Sequence, residues 1–290
     1  MITMKIRQTH ARTYRTCKRK YKLQAIDKLI SIEKAPALSI GTACHAGRAE
    51  WLKSKDADAA IKAAIRSIDA EIIMFPSLVA QEQETKRIVI ETIASYCLEF
   101  PKRFPDNAIK VIAIEVPFEV KLAEYEDLEM YLTGTGDALV NFADKYVMNF
   151  EYKTTKKTLP QFFKEEYLSI QHTTYCYAYQ EVLGIPVYGT LLDATRKPLA
   201  TKGPEHDHVS IPKTDDDIAE FRRDMTELLR EIYYSIDNDY FPPNFDACFT
   251  TKGTCEYHDI CRSRFDPHIL RNKYGVVDDI GQIIGNENPD

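Results

Sequence analysis

The stretch TGTGDALVNFADKYVMNFEYKTT, residues 133–155, decides the fold. Residues 129–142 (EMYLTGTGDALVNF) and 145–153 (KYVMNFEYK) show, at least in part, the two-residue rhythm of antiparallel strands, joined through a short NFAD connection. On the second strand that rhythm puts Val147, Asn149, Glu151 and Lys153 on one face, and Tyr146, Met148, Phe150 and Tyr152 on the other. A strand ordinarily closes on residues that pack, whereas this one closes on Glu151 and Lys153, pointing the same way. If the strands pair, Asp137, just past Gly134 and Gly136, approaches both. Two carboxylates converging on one point suit a hard cation such as Mg²⁺ or Mn²⁺. A lysine beside them can orient a water or stabilise charge developing on a phosphate. An acid-x-Lys string taken alone reads more readily as a surface ion pair worth roughly 0–1 kcal/mol; its surroundings reverse that balance.

Working outward, residues 111–120 (VIAIEVPFEV) read as a further strand and residues 41–101 as helical, punctuated by Pro76 and Pro101. A helix is expected over 162–183, stopped by Gly184 and Pro186, then a strand over 187–195. A last helix, over 214–237, has acids in its first turn, where the macrodipole favours them. The order helix, three strands, helix, strand, helix predicts an α/β core with a helical insertion. Residues 266–290 are polar and read as a peripheral tail. In the helix after the Glu-x-Lys strand, Gln171 and Tyr175 are four apart and share a face. His45, in GTACHAG, sits near the start of a helix; a lone histidine is more often structural, but a neutral imidazole there can be a metal ligand.

The chain has 290 residues and a formal net charge of −6, so no general affinity for polyanions follows from the global balance. Any nucleic-acid contact falls to local patches. The densest lies in residues 7–30, where Arg15, Lys18, Arg19 and five further cations face one acid, Asp27, with Tyr14 and Tyr21 interleaved. A solvated helix face explains such a run as well as a phosphate-contacting arm does, and the Tyr14 and Tyr21 rings among the cations fit contact with a single DNA strand, since bases stack on aromatic faces. The start of the chain has no apolar segment of signal type, and no run approaches the ~18 apolar residues that span a bilayer. A cytoplasmic protein with reduced thiols is expected.

Strand, glycine turn, Asp137, strand with Glu151 and Lys153, then a helix with Gln171 and Tyr175, all preceded by His45, is a rare conjunction. In this order and spacing the chain resembles the RecB-like branch of the PD-(D/E)XK nuclease superfamily, which includes phage and CRISPR-associated exonucleases. The likeness runs over about residues 7–264. It implies a restriction-endonuclease-like core, a mixed central sheet flanked by helices, and metal-dependent hydrolysis of DNA phosphodiester bonds. It further implies that His45, Asp137, Glu151 and the backbone carbonyl of Tyr152 ligate Mg²⁺ or Mn²⁺, that Lys153 assists the attacking water, and that Gln171 and Tyr175 contact substrate or support the site. Glu115, in IEVPF, lies where relatives carry an acid with a supporting or substrate role. The name-giving proline before the aspartate is absent, as in many of this branch.

Cys248, Cys255 and Cys261 form a C-x6-C-x5-C run, and Cys17 near the other end of the chain is the natural fourth thiolate. Four cysteines suit zinc or an iron-sulfur cluster equally by spacing; His258 can replace a ligand in a zinc version, and unligated thiols are a third reading. The resemblance favours a [4Fe-4S] cluster, with one cysteine before the core and three after it. Such a link would clamp the two chain ends together, its binding free energy counting as folding free energy. Cys44, Cys97 and Cys176 sit in helical patterns and read as core.

The expected organisation is a nuclease domain over 1–265, with a helical insertion at about 45–110 and cluster-binding segments around 17 and 248–261, followed by the tail. The leading function is a DNA exonuclease in recombination, repair, phage replication or CRISPR spacer processing, in a bacterial or phage-infected cell. The alternative is a non-catalytic DNA-binding or assembly module of a helicase-nuclease complex. No G-x-x-x-x-G-K-[ST] string is present, so a helicase is expected only as a partner in trans. A ring-shaped oligomer is compatible with the family, though no heptad is legible.

Overall fold

A two-residue hydrophobic rhythm needs a partner strand and cover over its apolar face, and the elements around residues 133–155 supply both. The computed structural model describes residues 2–105, 108–125, 128–199, 201–250, 253–277 and 283–284. Its strands are β1 (Ile2–Arg7), β2 (Leu29–Ser31), β3 (Ile109–Tyr125), β4 (Leu128–Phe142), β5 (Tyr146–Thr155), β6 (Gly189–Arg196), β7 (Glu205–Pro212), β8 (Phe249–Thr250), β9 (Gly253–Thr254), β10 (Tyr274–Val277) and β11 (Ile283–Ile284). Its helices are α1 (Gln8–Thr16), α2 (Lys18–Tyr21), α3 (Pro36–Ser54), α4 (Ala57–Met74), α5 (Glu82–Arg103), α6 (Leu159–Glu166), α7 (Ile170–Leu183), α8 (Asp215–Asp237), α9 (His258–Arg262) and α10 (Pro267–Lys273). Two units divide the chain, one comprising 1–5 with 35–224 and the other 6–34 with 225–290.

The first unit is built on a mixed sheet in the order β1-β4-β5-β6-β7, with β3 also paired to β4. β3 and β4 pair antiparallel from Ile109↔Phe142 to Tyr125↔Leu128. β5 joins β4 only over Ala138↔Phe150 to Phe142↔Tyr146, and beyond that point the two strands part at Asp137 and Glu151. β5 and β6 run parallel, which requires a crossover; α6 and α7 provide it. β6 is buried almost throughout, as a strand covered on both faces must be. Its alternation divides the core. Leu191 joins Trp51, Ile93, Tyr96, Phe100, Val140 and Phe150 under α3, α4 and α5. Leu192 and Ala194 join Leu159 and Phe162 of α6 on the other side.

The expected mixed sheet flanked by helices is thus present, with three differences of detail. The helix expected over 162–183 is two helices, because Glu166–Ser169 forms a turn in which the Ser169 amide bonds the Glu166 carbonyl at 2.8 Å. Pro101 lies inside the last turn of α5 and does not end it there. β1 and β7 add strands to the sheet. Gly184 does cap α7 in the left-handed conformation, φ 65°.

The second unit joins residues 6–34 to residues 225–290. Leu23, Tyr257, Ile260 and Tyr274 form its small core, and β10 pairs antiparallel with β2 and β11. Residues 266–290 are therefore not simply a tail in their described part: α10 and β10 lie there, and Tyr274 is buried because its ring stacks on Tyr257 and its hydroxyl donates to the Glu256 carbonyl at 2.7 Å. Residues 278–282 and 285–290 lie outside the described residues. Among the described residues no helix is long and apolar enough to cross a membrane.

Candidate active site

Where β4 and β5 part, their side chains are no longer spaced by ladder hydrogen bonds, and a helix from each side can reach in. Asp137 stands on β4, Glu151, Tyr152 and Lys153 on β5, His45 on α3, and Gln171 and Tyr175 on α7. All seven belong to the first unit.

Asp137 is held from two directions. Its Oδ2 accepts from the Tyr152 amide at 2.7 Å, and its Oδ1 lies 3.0 Å from His45 Nδ1. Glu151 is only 2% exposed at its side chain, and its Oε1 sits 2.6 Å from Lys153 Nζ. Gln171 closes this group. Its Nε2 donates to Glu151 Oε1 at 2.8 Å and faces the Tyr175 hydroxyl at 3.1 Å, while its Oε1 accepts from Lys153 Nζ at 2.9 Å. Tyr175 in turn donates to the Thr135 carbonyl at 3.4 Å. The shared faces read from sequence are the ones that meet.

The electrostatics follow from burial. Burial first, then the nearby Asp137 charge, pushes the Glu151 carboxyl up to about 7, against the pull of Lys153 and His45. Burial works against the Lys153 ammonium, but the attraction of Glu151, Asp137 and Glu166 outweighs it and raises its pKa. Glu151 Oε2 is buried with no hydrogen-bond partner. An orphaned carboxylate oxygen beside a second carboxylate is a donor set that a divalent cation completes. Asp137 and Glu151, with His45 against Asp137, offer by their chemistry the donors such an ion takes. Among the described residues no three His, Cys, Asp or Glu side chains are already gathered at coordination distance.

Behind β5 lies a charged layer that sequence reasoning missed. Arg48, one turn after His45 on α3, is fully buried. It donates to the Lys153 carbonyl at 3.4 Å and to Thr195 Oγ1, and its guanidinium lies 4.7 Å from the Tyr96 ring centroid. Asp193 on β6, paired in register with Tyr152, is fully buried between the Tyr96 hydroxyl at 2.8 Å and Arg103. These charges sit in helix and strand patterns that read as ordinary polar positions. Gly47, next to Arg48, is the one available hint that this part of α3 packs closely: a Cβ there would lie 2.9 Å from Ile93.

Glu115 lies opposite Asp137 on β3, between the pairs Ile114↔Ala138 and Val116↔Gly136, with a left-handed φ of 53°. Its side chain is exposed and ion-paired to Lys53 at 3.6 Å, so it does not join the carboxylate pair. In the second unit, Tyr21 is buried against Tyr14 and Phe241. Tyr14 is buried too, its hydroxyl bonded to Ser235 and the Glu231 carbonyl. The stacking role expected for Tyr21 and Tyr14 is therefore corrected: both rings are core, with no face left for a base. Arg15 is exposed, Arg19 half-buried, and Lys18 is partly engaged with Glu231 at 3.6 Å.

All four candidate cluster cysteines fall in that second unit. The β8–β9 hairpin brings Cys248 and Cys255 together, with the Cys255 amide on the Cys248 carbonyl at 2.8 Å. Cys17 Sγ accepts from the Asn244 amide at 3.3 Å. Burial pushes the Cys261 thiol up, Arg19 opposes it, and Cys255, Cys17 and Cys248 push it further, so those three sulfurs lie within electrostatic reach of Cys261. His258 points to Asp259 at 3.2 Å. Cys44, Cys97 and Cys176 are buried core thiols.

The family model of the PD-(D/E)XK nuclease superfamily matches residues 6–262. No curated protein matches the chain. Among solved structures, the crystal structure of a "Putative exonuclease" from Eubacterium rectale aligns over 89% of this chain and 86% of that chain, at 12% sequence identity and a TM-score of 0.51, a likeness of fold. The crystal structure of SSO0001 aligns over 53% of this chain and 71% of that one, at 15% identity and a TM-score of 0.26, and nothing rests on it.

Proposed function

The chain belongs to the PD-(D/E)XK nuclease superfamily, and from that membership we propose that it is an exonuclease hydrolysing DNA phosphodiester bonds with Mg²⁺ or Mn²⁺. One observation carries the reading: Asp137, Glu151, Lys153 and Gln171 converge where β4 and β5 part, with Glu151 Oε2 buried and unpartnered. His45, Asp137, Glu151 and the Tyr152 carbonyl would hold the cation. When bound, that ion would supply Lewis-acid stabilisation of the phosphoryl oxygens and acidify a water.

The chain's own residues do the rest. Lys153 Nζ carries its proton at neutral pH, so it orients the attacking water and faces the charge that grows on the phosphate. Gln171 fixes that ammonium and the Glu151 carboxylate in one geometry, through one hydrogen bond to each. Tyr175 limits the rotation of Gln171. Arg48 anchors the Lys153 carbonyl from behind, keeping β5 in place after it has lost β4 as a neighbour.

Substrate contact by Arg15, Lys18 and Arg19, a [4Fe-4S] cluster on Cys17, Cys248, Cys255 and Cys261, and a helicase or recombination partner extend the same reading. Zinc on the same thiolates is the competing occupant. A non-catalytic DNA-binding role is the second reading, disfavoured because every acid, lysine and glutamine position is filled and joined. The test is degradation of single- and double-stranded DNA labelled at either end, with Mg²⁺, Mn²⁺ or EDTA. Progressive, metal-dependent loss of an end label supports the exonuclease. Internal cuts would make it an endonuclease, and binding without cleavage in every metal would favour the scaffold.

A further inference from the structure

Within the second unit a pocket of about 380 Å³ opens between the α2 segment and the chain after α8. Its size is in the range that holds a small ligand. Two exposed aromatic rings, Tyr240 and Phe265, stand on its lining, 62% and 43% accessible. Rings of that size left to water at a concave site are surfaces on which a planar base stacks.

The polar groups are divided in a way that matches one ligand. Lys22 Nζ is shared between Asp27 at 3.7 Å and Asp239 at 3.3 Å, so its charge is offset. Arg19 has no carboxylate within ion-pair distance among the described residues. Its guanidinium lies 5.8 Å from the Phe265 ring centroid, and its amide is tied to the Pro242 carbonyl at 3.3 Å. Arg19, which meets no described carboxylate although its charge also acts on the Cys261 thiol, is thus the cation left for a phosphate, while the Asp239 carboxylate, largely exposed, can accept from an exocyclic amine. Phe265 on the lining has a left-handed φ of 66°, which a bulky residue keeps only where the surroundings impose it.

We propose that this pocket binds a nucleotide, its base against Tyr240 and Phe265 and its phosphate on Arg19. The nucleotide is either one unit of a single DNA strand, a source that rests on the nuclease reading, or a free nucleotide. The chemistry recognised is the same.

The test is fluorescence titration of the full chain in EDTA, where no metal-dependent cleavage occurs. One probe is 2-aminopurine nucleoside monophosphate, and the other is a single-stranded oligonucleotide with one internal 2-aminopurine. Stacking quenches the probe. Tyr240→Ala and Arg19→Ala are expected to weaken binding about fivefold or more, and Tyr240→Phe to retain it, with circular dichroism showing that each variant is folded. Quenching of the oligonucleotide alone assigns the pocket to a DNA strand, and equal affinity for the monophosphate assigns it to a free nucleotide. Unchanged affinity of both alanine variants for both probes overturns the proposal. Failure of the nuclease reading would appear separately, as wild-type protein that cleaves nothing in Mg²⁺ or Mn²⁺.

Discussion

Gln171 on α7 donates from Nε2 to Glu151 Oε1 on β5 at 2.8 Å, and its own Oε1 accepts from Lys153 Nζ at 2.9 Å. One amide therefore sets the orientation of both a candidate metal ligand and the candidate charge-stabilising lysine. Gln171→Ala is expected to lower the rate of DNA hydrolysis about 10- to 100-fold, the usual cost of losing a group that orients a ligand. Initial rates at saturating DNA and metal check it; an unchanged rate would remove Gln171 from the mechanism.

Gly136 precedes Asp137 and lies directly under Tyr179. A Cβ there would fall 2.0 Å from the Tyr179 hydroxyl, and that ring is buried with its hydroxyl bonded to the Val116 carbonyl at 3.0 Å. Gly136→Ala is expected to destabilise the protein by about 1–3 kcal/mol through overpacking. Adding Tyr179→Phe, which removes the clashing oxygen, should recover part of that loss. Urea unfolding of the wild type and both variants measures it, and a Gly136→Ala protein as stable as wild type would contradict the packing.

His206 is bonded to Thr195 Oγ1 at 2.7 Å and Ser95 Oγ at 3.0 Å. Burial, then Arg48 and Arg103, push its pKa down to about 3. In the unfolded chain it titrates near 6.5, so between those values the unfolded state holds a proton that the folded state lacks. Stability is then fully present above about pH 6.5 and falls as pH drops toward 3. The urea midpoint should decrease from pH 7 to pH 4 and decrease less in His206→Gln. An identical slope in the variant would show that other groups carry the effect.

Cys17 is far in sequence from Cys248, Cys255 and Cys261, yet all four occupy one unit. If they hold a cluster, anaerobically purified protein will show broad visible absorbance with bound iron and sulfide, and Cys17→Ala will lose both. Bound zinc without colour would assign the same thiolates to zinc.

What was legible in the sequence was local. The alternation of β4 and β5, and the four-residue step from Gln171 to Tyr175, each follow from a repeat within one element. The parallel placement of β6, which lays Asp193 beside Tyr152, depends on a crossover that no short repeat encodes. Arg48, Arg103 and Asp193 were invisible as a network for the same reason, since charges in amphipathic patterns read as solvent-facing until partners from other elements are known. Tyr14 and Tyr21 read as a basic-aromatic DNA surface because cations stand beside them in the sequence, while their rings turn inward onto Ser235 and Phe241. β1 is short, and the edge strand β7, EHDHVSIP, is too polar for an apolar alternation to stand out.

The most direct measurement is the Mg²⁺-dependent rate of end-labelled DNA hydrolysis by wild type and Glu151→Gln, with DNA affinity measured in parallel in EDTA. Glu151→Gln keeps the shape of the buried side chain and removes its charge. The expected result is a loss of cleavage of about 100-fold or more with affinity for DNA retained. Cleavage at the wild-type rate in Glu151→Gln would contradict an active site centred on the parting of β4 and β5.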